Sequence, residues 1–337
     1  MTAARPARPW VPGAVTAVGS LPGTDPIEAA RLVFGELPDL PHVPELPARG
    51  AGADMIGRSA AMLVDLPVEI SVGVWKMTSR PGRDLRRARD FLAWDADAVE
   101  EVAAGYQGPL KVQAVGPWTL AAQLELVSGH RVVADHGASR DLAESLAEGL
   151  RGVLADLRGR VPGASLILQL DEPSLPAVLD GHVPTPSGYG TVRAVEATVL
   201  EQTLRDVLAV AGVGNRVVHC CADTVPISLL HAAGADALSV DARKIGVDSY
   251  DALGEAIDSG VALWPGVVPS TDATLDYSVV AASLRRLWAE LGFAPAQLAA
   301  SVVATPACGL AAASPDYARR ALAVLRDVGK SLQDDSA

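Results

Sequence analysis

The chain has 337 residues, 49% of them hydrophobic and 20% charged, with a formal net charge of −12 and a pI near 4.9. That is enough apolar content for a large core, and an acidic balance without a basic stripe argues against nucleic-acid binding. No apolar run reaches the roughly 18 residues of a membrane span. The N-terminus lacks the apolar stretch of a secretory leader, and three cysteines are too few for a disulfide framework. A cytoplasmic setting without membrane contact is therefore expected.

Short apolar runs alternate with amphipathic stretches along the whole chain. "AVTAVGSLP" (14–22) is the first expected strand, followed by a capped helix in "DPIEAARLVFGEL". "PVEISVGVW" (67–75) is the second and "PLKVQAVGP" (109–117) the third. "SLILQLDEP" (165–173), "RVVHCC" (216–221) and "ADALSVDA" (235–242) follow, then "VALWPGVV" (261–268) and "SVVATPACG" (301–309), each with a helical pattern behind it. Continuously apolar strands separated by helices imply a parallel sheet covered by helices. Eight such units without a dinucleotide glycine fingerprint favour an α/β fold of the (β/α)8 TIM-barrel type over an open doubly wound sheet. A single domain is expected, with its core over 14–330 and tails at 1–13 and 331–337. Two Pro- and Gly-rich stretches, 37–66 and 174–191, are expected as long loops on the catalytic face.

In such a barrel the chemistry sits at the C-terminal strand ends. The polar residues there are Ser20; Trp118 and Thr119; Asp171 and Glu172; His219, Cys220 and Cys221; Asp241; and Cys308. Side chains on a strand alternate faces, so His219 and Cys221 point one way and Cys220 the other. If His219 faces the mouth, Cys221 joins it, with Asp241 from the next strand and Cys308 from across the mouth. One imidazole, two thiols and a carboxylate form a set that zinc takes in tetrahedral geometry. The alternative for each cysteine is plain burial as a small hydrophobe, and for Asp171 and Glu172 a cap or ion pair. His42, His130, His136, His182 and His231 fall in loops or helices and read as structural or solvated, His182 excepted if its loop overhangs the mouth. Of the four lysines, only Lys111 and Lys244 lie in or just after strands, which leaves little room for Schiff-base chemistry.

Four segments together resemble the catalytic barrel of cobalamin-independent methionine synthase, within the uroporphyrinogen-decarboxylase-like superfamily. They are "TAVGSLP", "LQLDEPSL", "VVHCCAD" with "ALSVDARKI", and "ATPACGL", and they span nearly the whole chain in the family's order. The resemblance implies a zinc-dependent methyltransferase that moves a methyl group to the thiolate of homocysteine to give methionine. Zn2+ would be held by His219, Cys221, Asp241 and Cys308, where Asp241 stands for a usual glutamate. Two cysteinates and a carboxylate would leave that site with one net negative charge, which favours a nucleophilic sulfur. Val18, Gly19, Ser20 and Asp171 would contact the amino acid, and Glu45 would replace a glutamate of the family's His-Gly-Glu run.

The donor side departs from the family. "PSTDA" places Thr271 where a histidine is expected, and Gln123 stands where a folate-stacking tryptophan is expected. Trp118, Glu172 and Thr271 are the remaining donor-side candidates. The donor would be of the methyl-tetrahydrofolate type or a methylcorrinoid protein. Rivals are a zinc alkyltransferase acting on another thiol such as coenzyme M, a uroporphyrinogen decarboxylase, and a zinc-binding barrel without turnover.

Overall fold

A computed structural model describes residues 8–210 and 216–334. In chain order the elements are α1 (Pro26–Glu36), α2 (Met55–Met62), β1 (Val68–Ser71), β2 (Val74–Met77), α3 (Arg83–Val102), β3 (Gly108–Val115), α4 (Pro117–Gln123), α5 (His136–Arg160), β4 (Ala164–Asp171) and α6 (Leu175–Leu179). They continue as α7 (Ala197–Ala209), β5 (Arg216–Cys220), α8 (Ile227–Ala232), β6 (Ala237–Asp241), α9 (Tyr250–Asp258), β7 (Ala262–Val268), α10 (Tyr277–Glu290), α11 (Leu298–Ser301), β8 (Thr305–Pro306) and α12 (Pro315–Asp334). Strands β3 to β8 form one parallel sheet in sequence order, a curled half-barrel with helices outside.

Both edges of this sheet carry further extended chain. His42 bridges Lys111 on β3, and Val15 bridges Ala304 just before β8. Between those segments Ser20 bridges Glu45, with Glu45 N donating to Gly19 O at 3.1 Å and Leu21 N to Glu45 O at 2.9 Å.

Two sequence expectations are corrected here. "PVEISVGVW" is not a strand of the parallel sheet: β1 and β2 form an antiparallel hairpin around Val72 and Gly73, both at positive φ. The chain that lies against β3 instead is 41–45, inside the stretch expected to be loop. That stretch also holds a 3-10 turn, Pro47–Arg49, and α2. Likewise, α6 occupies the start of the 174–191 stretch.

The interior of the half-barrel is layered. At its N-terminal end Trp10, Leu40, Ile167, Val217, Trp264 and Val303 belong to a closed apolar cluster, with Trp10 and Trp264 edge-to-face at 5.3 Å. Above it the same inward strand positions turn polar. Lys111 and Gln113 on β3, Gln169 and Asp171 on β4, His219 on β5 and Ser239 on β6 are all buried. Buried polar groups need partners, and these find one another: Lys111 Nζ donates to Val18 O at 2.7 Å and to Gln113 Oε1 at 3.2 Å, and Gln169 Nε2 to Asp171 Oδ1 at 2.7 Å. The apolar floor supplies burial, and the polar layer fixes what lies above it.

Candidate metal and amino-acid site

His219 lies in register between Asp171 on β4 and Ser239 on β6. Its Nδ1 is 2.9 Å from Ser239 Oγ, which orients the ring and directs Nε2 away from the sheet. Cys221 follows β5 by one residue and shares His219's face, while Cys308 enters from the turn after β8. One ligand atom from each of His219, Cys221 and Cys308 can be chosen so that all lie within 4.8 Å of one another. The two sulfurs are 3.5 Å apart. That is far longer than a disulfide and close to the edge, about 3.8 Å, of a tetrahedron with zinc–sulfur bonds of about 2.3 Å.

The donor set fits a zinc ion on a second count. His219 Nε2 is buried and has no hydrogen-bond partner among the described residues, a costly condition unless the nitrogen is a ligand. The hydrogen-bonded contact with Cys308, together with burial, raises the Cys221 thiol. The same contact, helped by the His219 imidazole, pulls Cys308 down to about 4 against its burial. Cys220 faces the other way, fully buried, and burial pushes its thiol up to about 12.

Asp241 shares the inward face of β6 but does not join the three. Its carboxylate accepts Arg243 Nε at 2.9 Å and Arg243 Nη2 at 2.8 Å, and the Arg243 backbone N–H at 3.1 Å. Strand alternation gives the face of Asp241, not the partner its carboxylate chooses.

Beside Cys308 the backbone segments of Ser20 and Glu45 come together. Leu310 N donates to Ser20 O at 2.8 Å, so the turn carrying Cys308 rests on the Val18–Gly19–Ser20 segment. The approach is close: a Cβ on Gly309 would lie 2.0 Å from Ser20 Oγ, and one on Gly19 2.8 Å from Gln113 Nε2, so a larger residue at either would displace those side-chain ends. Glu45 is held next to Gly19 by its backbone, and Arg58 approaches its carboxylate at 3.6 Å. Burial pushes Asp171 up and Lys111 down, each to about 7, while their mutual attraction favours the charged pair. Lys111, Gln113, Gln169, Ser239 and Arg243 were not among the site residues expected from sequence. The signal for three of them was a polar residue two positions from another within an apolar strand, in "KVQ" and "QLD".

The donor-side candidates are placed differently. Trp118 is buried, its indole Nε1 donating to Leu200 O at 3.0 Å. Glu172 caps α4: it accepts Trp118 N at 3.0 Å, and Thr119 N and Oγ1 at 2.7 Å each. Burial pushes its carboxyl up to about 7 against those bonds. Thr271 and Gln123 are exposed, Thr271 in the loop after β7. His182 is exposed and His42 fully buried.

The chain as a whole matches known proteins. Residues 13–331 match the family described as "Cobalamin-independent synthase, Catalytic domain". A solved structure of a B12-independent methionine synthase from Shewanella sp. W3-18-1, in complex with selenomethionine, superposes with a TM-score of 0.65 at 14% identity. The match covers 96% of this chain and 98% of that one. No curated protein sequence matches.

Proposed function

The chain belongs to the cobalamin-independent methionine synthase family through its catalytic domain, a family of methyltransferases to homocysteine, and from that premise we propose how its residues divide the work. His219, Cys221 and Cys308 hold a zinc ion. The observation that carries this is the buried, unpartnered Nε2 of His219 facing two sulfurs. Zinc bound there would keep the homocysteine sulfur as a thiolate near neutral pH.

The protein's own groups do the rest. Asp171 and Glu45 take the substrate ammonium, and the Val18–Gly19–Ser20 segment receives its carboxylate through backbone and hydroxyl donors. Gln169 and Lys111 fix that segment from below through Val18 O. Held this way, the sulfur meets a methyl group in line, and orientation supplies much of the rate. Two buried carboxylates favour an amino-acid thiol over coenzyme M, which has no ammonium. The donor's methyl arrives on a methylcorrinoid protein rather than a folate: the rim offers an exposed Thr271 and an inward-turned Trp118 in place of an aromatic wall. We further infer that the extended segments at 15–20 and 42–45 complete an eight-stave (β/α)8 barrel, working as a single catalytic unit over 14–330. Its free thiols suit the reducing cytoplasm.

The test is turnover of homocysteine with methylcobalamin and with methyl-tetrahydrofolates of different glutamate length. Methionine formed from the corrinoid alone is expected. Methionine from the folate overturns the donor assignment, and none from any donor overturns the catalytic reading.

A further inference from the structure

The chain that leaves Glu45 is pinned to the body of the protein at one carboxylate. That carboxylate is Asp95 on α3, which is 1% exposed. Arg49, in the 3-10 turn just after Glu45, places Nη1 2.7 Å from Asp95 Oδ1 and donates from Nη2 to Oδ2 at 2.8 Å. Its guanidinium also packs over the ring of Phe91, 4.6 Å from the centroid. Arg58, near the start of α2, donates from Nη1 to Asp95 Oδ2. The start of α2 is itself fixed, because Asp54 Oδ1 accepts Gly57 N at 2.8 Å.

Charge balance separates the two arginines. One carboxylate faces two guanidiniums, so one positive charge is left over. Arg49 meets both oxygens of Asp95, whereas Arg58 gives it Nη1 alone. Arg58 Nε lies 3.6 Å from Glu45 Oε1 and has no hydrogen-bond partner among the described residues. The remaining charge therefore stands beside Glu45. Both side chains are buried, 4% and 10% exposed, so solvent ions screen their attraction little. Buried ion pairs add little stability over apolar packing, so stability alone does not explain four charged groups gathered here.

We propose that Arg58, anchored on Asp95, sets the position of the Glu45 carboxylate and so aims it at the ammonium of the amino-acid substrate. Arg58 is thus a positioning residue for substrate selectivity, acting through Glu45. Asp95 and Arg49 are its anchor. This rests on the amino-acid reading above and deepens it.

Isothermal titration of the zinc-loaded protein reads this without a methyl donor. Homocysteine is compared with 4-mercaptobutanoate, which keeps the thiol and the carboxylate and lacks the ammonium. Circular dichroism confirms that each variant is folded. The wild type is expected to bind homocysteine about tenfold or more tighter, as a hydrogen bond to a charged group implies. Arg58→Met leaves Asp95 to Arg49 and removes the cation beside Glu45. Its homocysteine affinity should fall about tenfold, while its 4-mercaptobutanoate affinity stays within about twofold of wild type. Arg58→Lys, which keeps the charge and loses the planar fork, falls between, and it carries the same comparison if Arg58→Met does not fold. Glu45→Gln loses the preference for homocysteine, and adding Arg58→Met to it costs little more, because the two residues act as one unit. Equal losses for both ligands in the Arg58 variants would overturn the proposal. So would wild-type homocysteine affinity in those variants, or additive losses in the double variant. Glu45→Gln keeping the wild-type preference overturns the ammonium reading itself and not merely the role of Arg58.

Discussion

Cys220 and Cys221 are neighbours in the chain with opposite surroundings, one packed in the core and one beside His219 and Cys308. Cys221→Ser and Cys308→Ala are expected to empty the site, while Cys220→Ala keeps about one zinc per chain at a modest stability cost. Atomic absorption on purified protein reads this, and a metal-free Cys220→Ala protein would reverse the assignment. Ser239 deserves a separate variant. Its hydroxyl is the partner of His219 Nδ1, so Ser239→Ala should weaken zinc about 10–100-fold without removing a ligand. Much of this was legible in sequence, because a period of two separates the cysteines and pairs His219 with Cys221. The engagement of Asp241 by Arg243 was not, since periodicity reports the face of a strand and says nothing about competing partners on it.

Among the elements, the hairpin and the segment 41–45 exchanged places relative to expectation. "VEISVGVW" has the β-branched, alternating look of a strand and is one, but it pairs with itself across a tight turn. The segment at 41–45 contains Pro41 and Pro44, which lack the N–H a ladder uses. Its pairing survives through isolated contacts such as Val43 N to Lys111 O at 2.9 Å. Prolines therefore hid an inner segment, and alternation advertised an outer one. The glycine turns are the other element-level devices. Gly309→Ala displaces the Ser20 hydroxyl from the proposed amino-acid site, so KM for homocysteine should rise about tenfold or more while zinc content stays at wild-type level. Unchanged KM would mean that Ser20 does not shape that site. Glu172 belongs to this scale too: Glu172→Ala strips three acceptor contacts from the start of α4, and urea unfolding should show a loss of about 2–3 kcal/mol. An unchanged midpoint would remove its role as a cap.

Across the whole molecule the interior is divided between an apolar floor and a polar upper layer. Trp264 fills the floor against Trp10, and Trp264→Ala should cost about 3–5 kcal/mol in chemical denaturation. Zinc per folded chain should be unaltered, because His219 and the cysteines stand on the layer above. The alternation of apolar strands and helices showed this architecture in sequence. The extended segments at the two sheet edges were less visible, because isolated bridges rather than full ladders attach them. Loop 184–191 stands apart from both layers. Its contacts are largely its own, Thr185 N to Gly190 O and Gly188 N to Thr185 O, and Tyr189 at its tip is 98% exposed. Sequence change at the tip of that loop should therefore cost little folding stability, and a randomised library confined to 186–190 is expected to melt near the parental temperature.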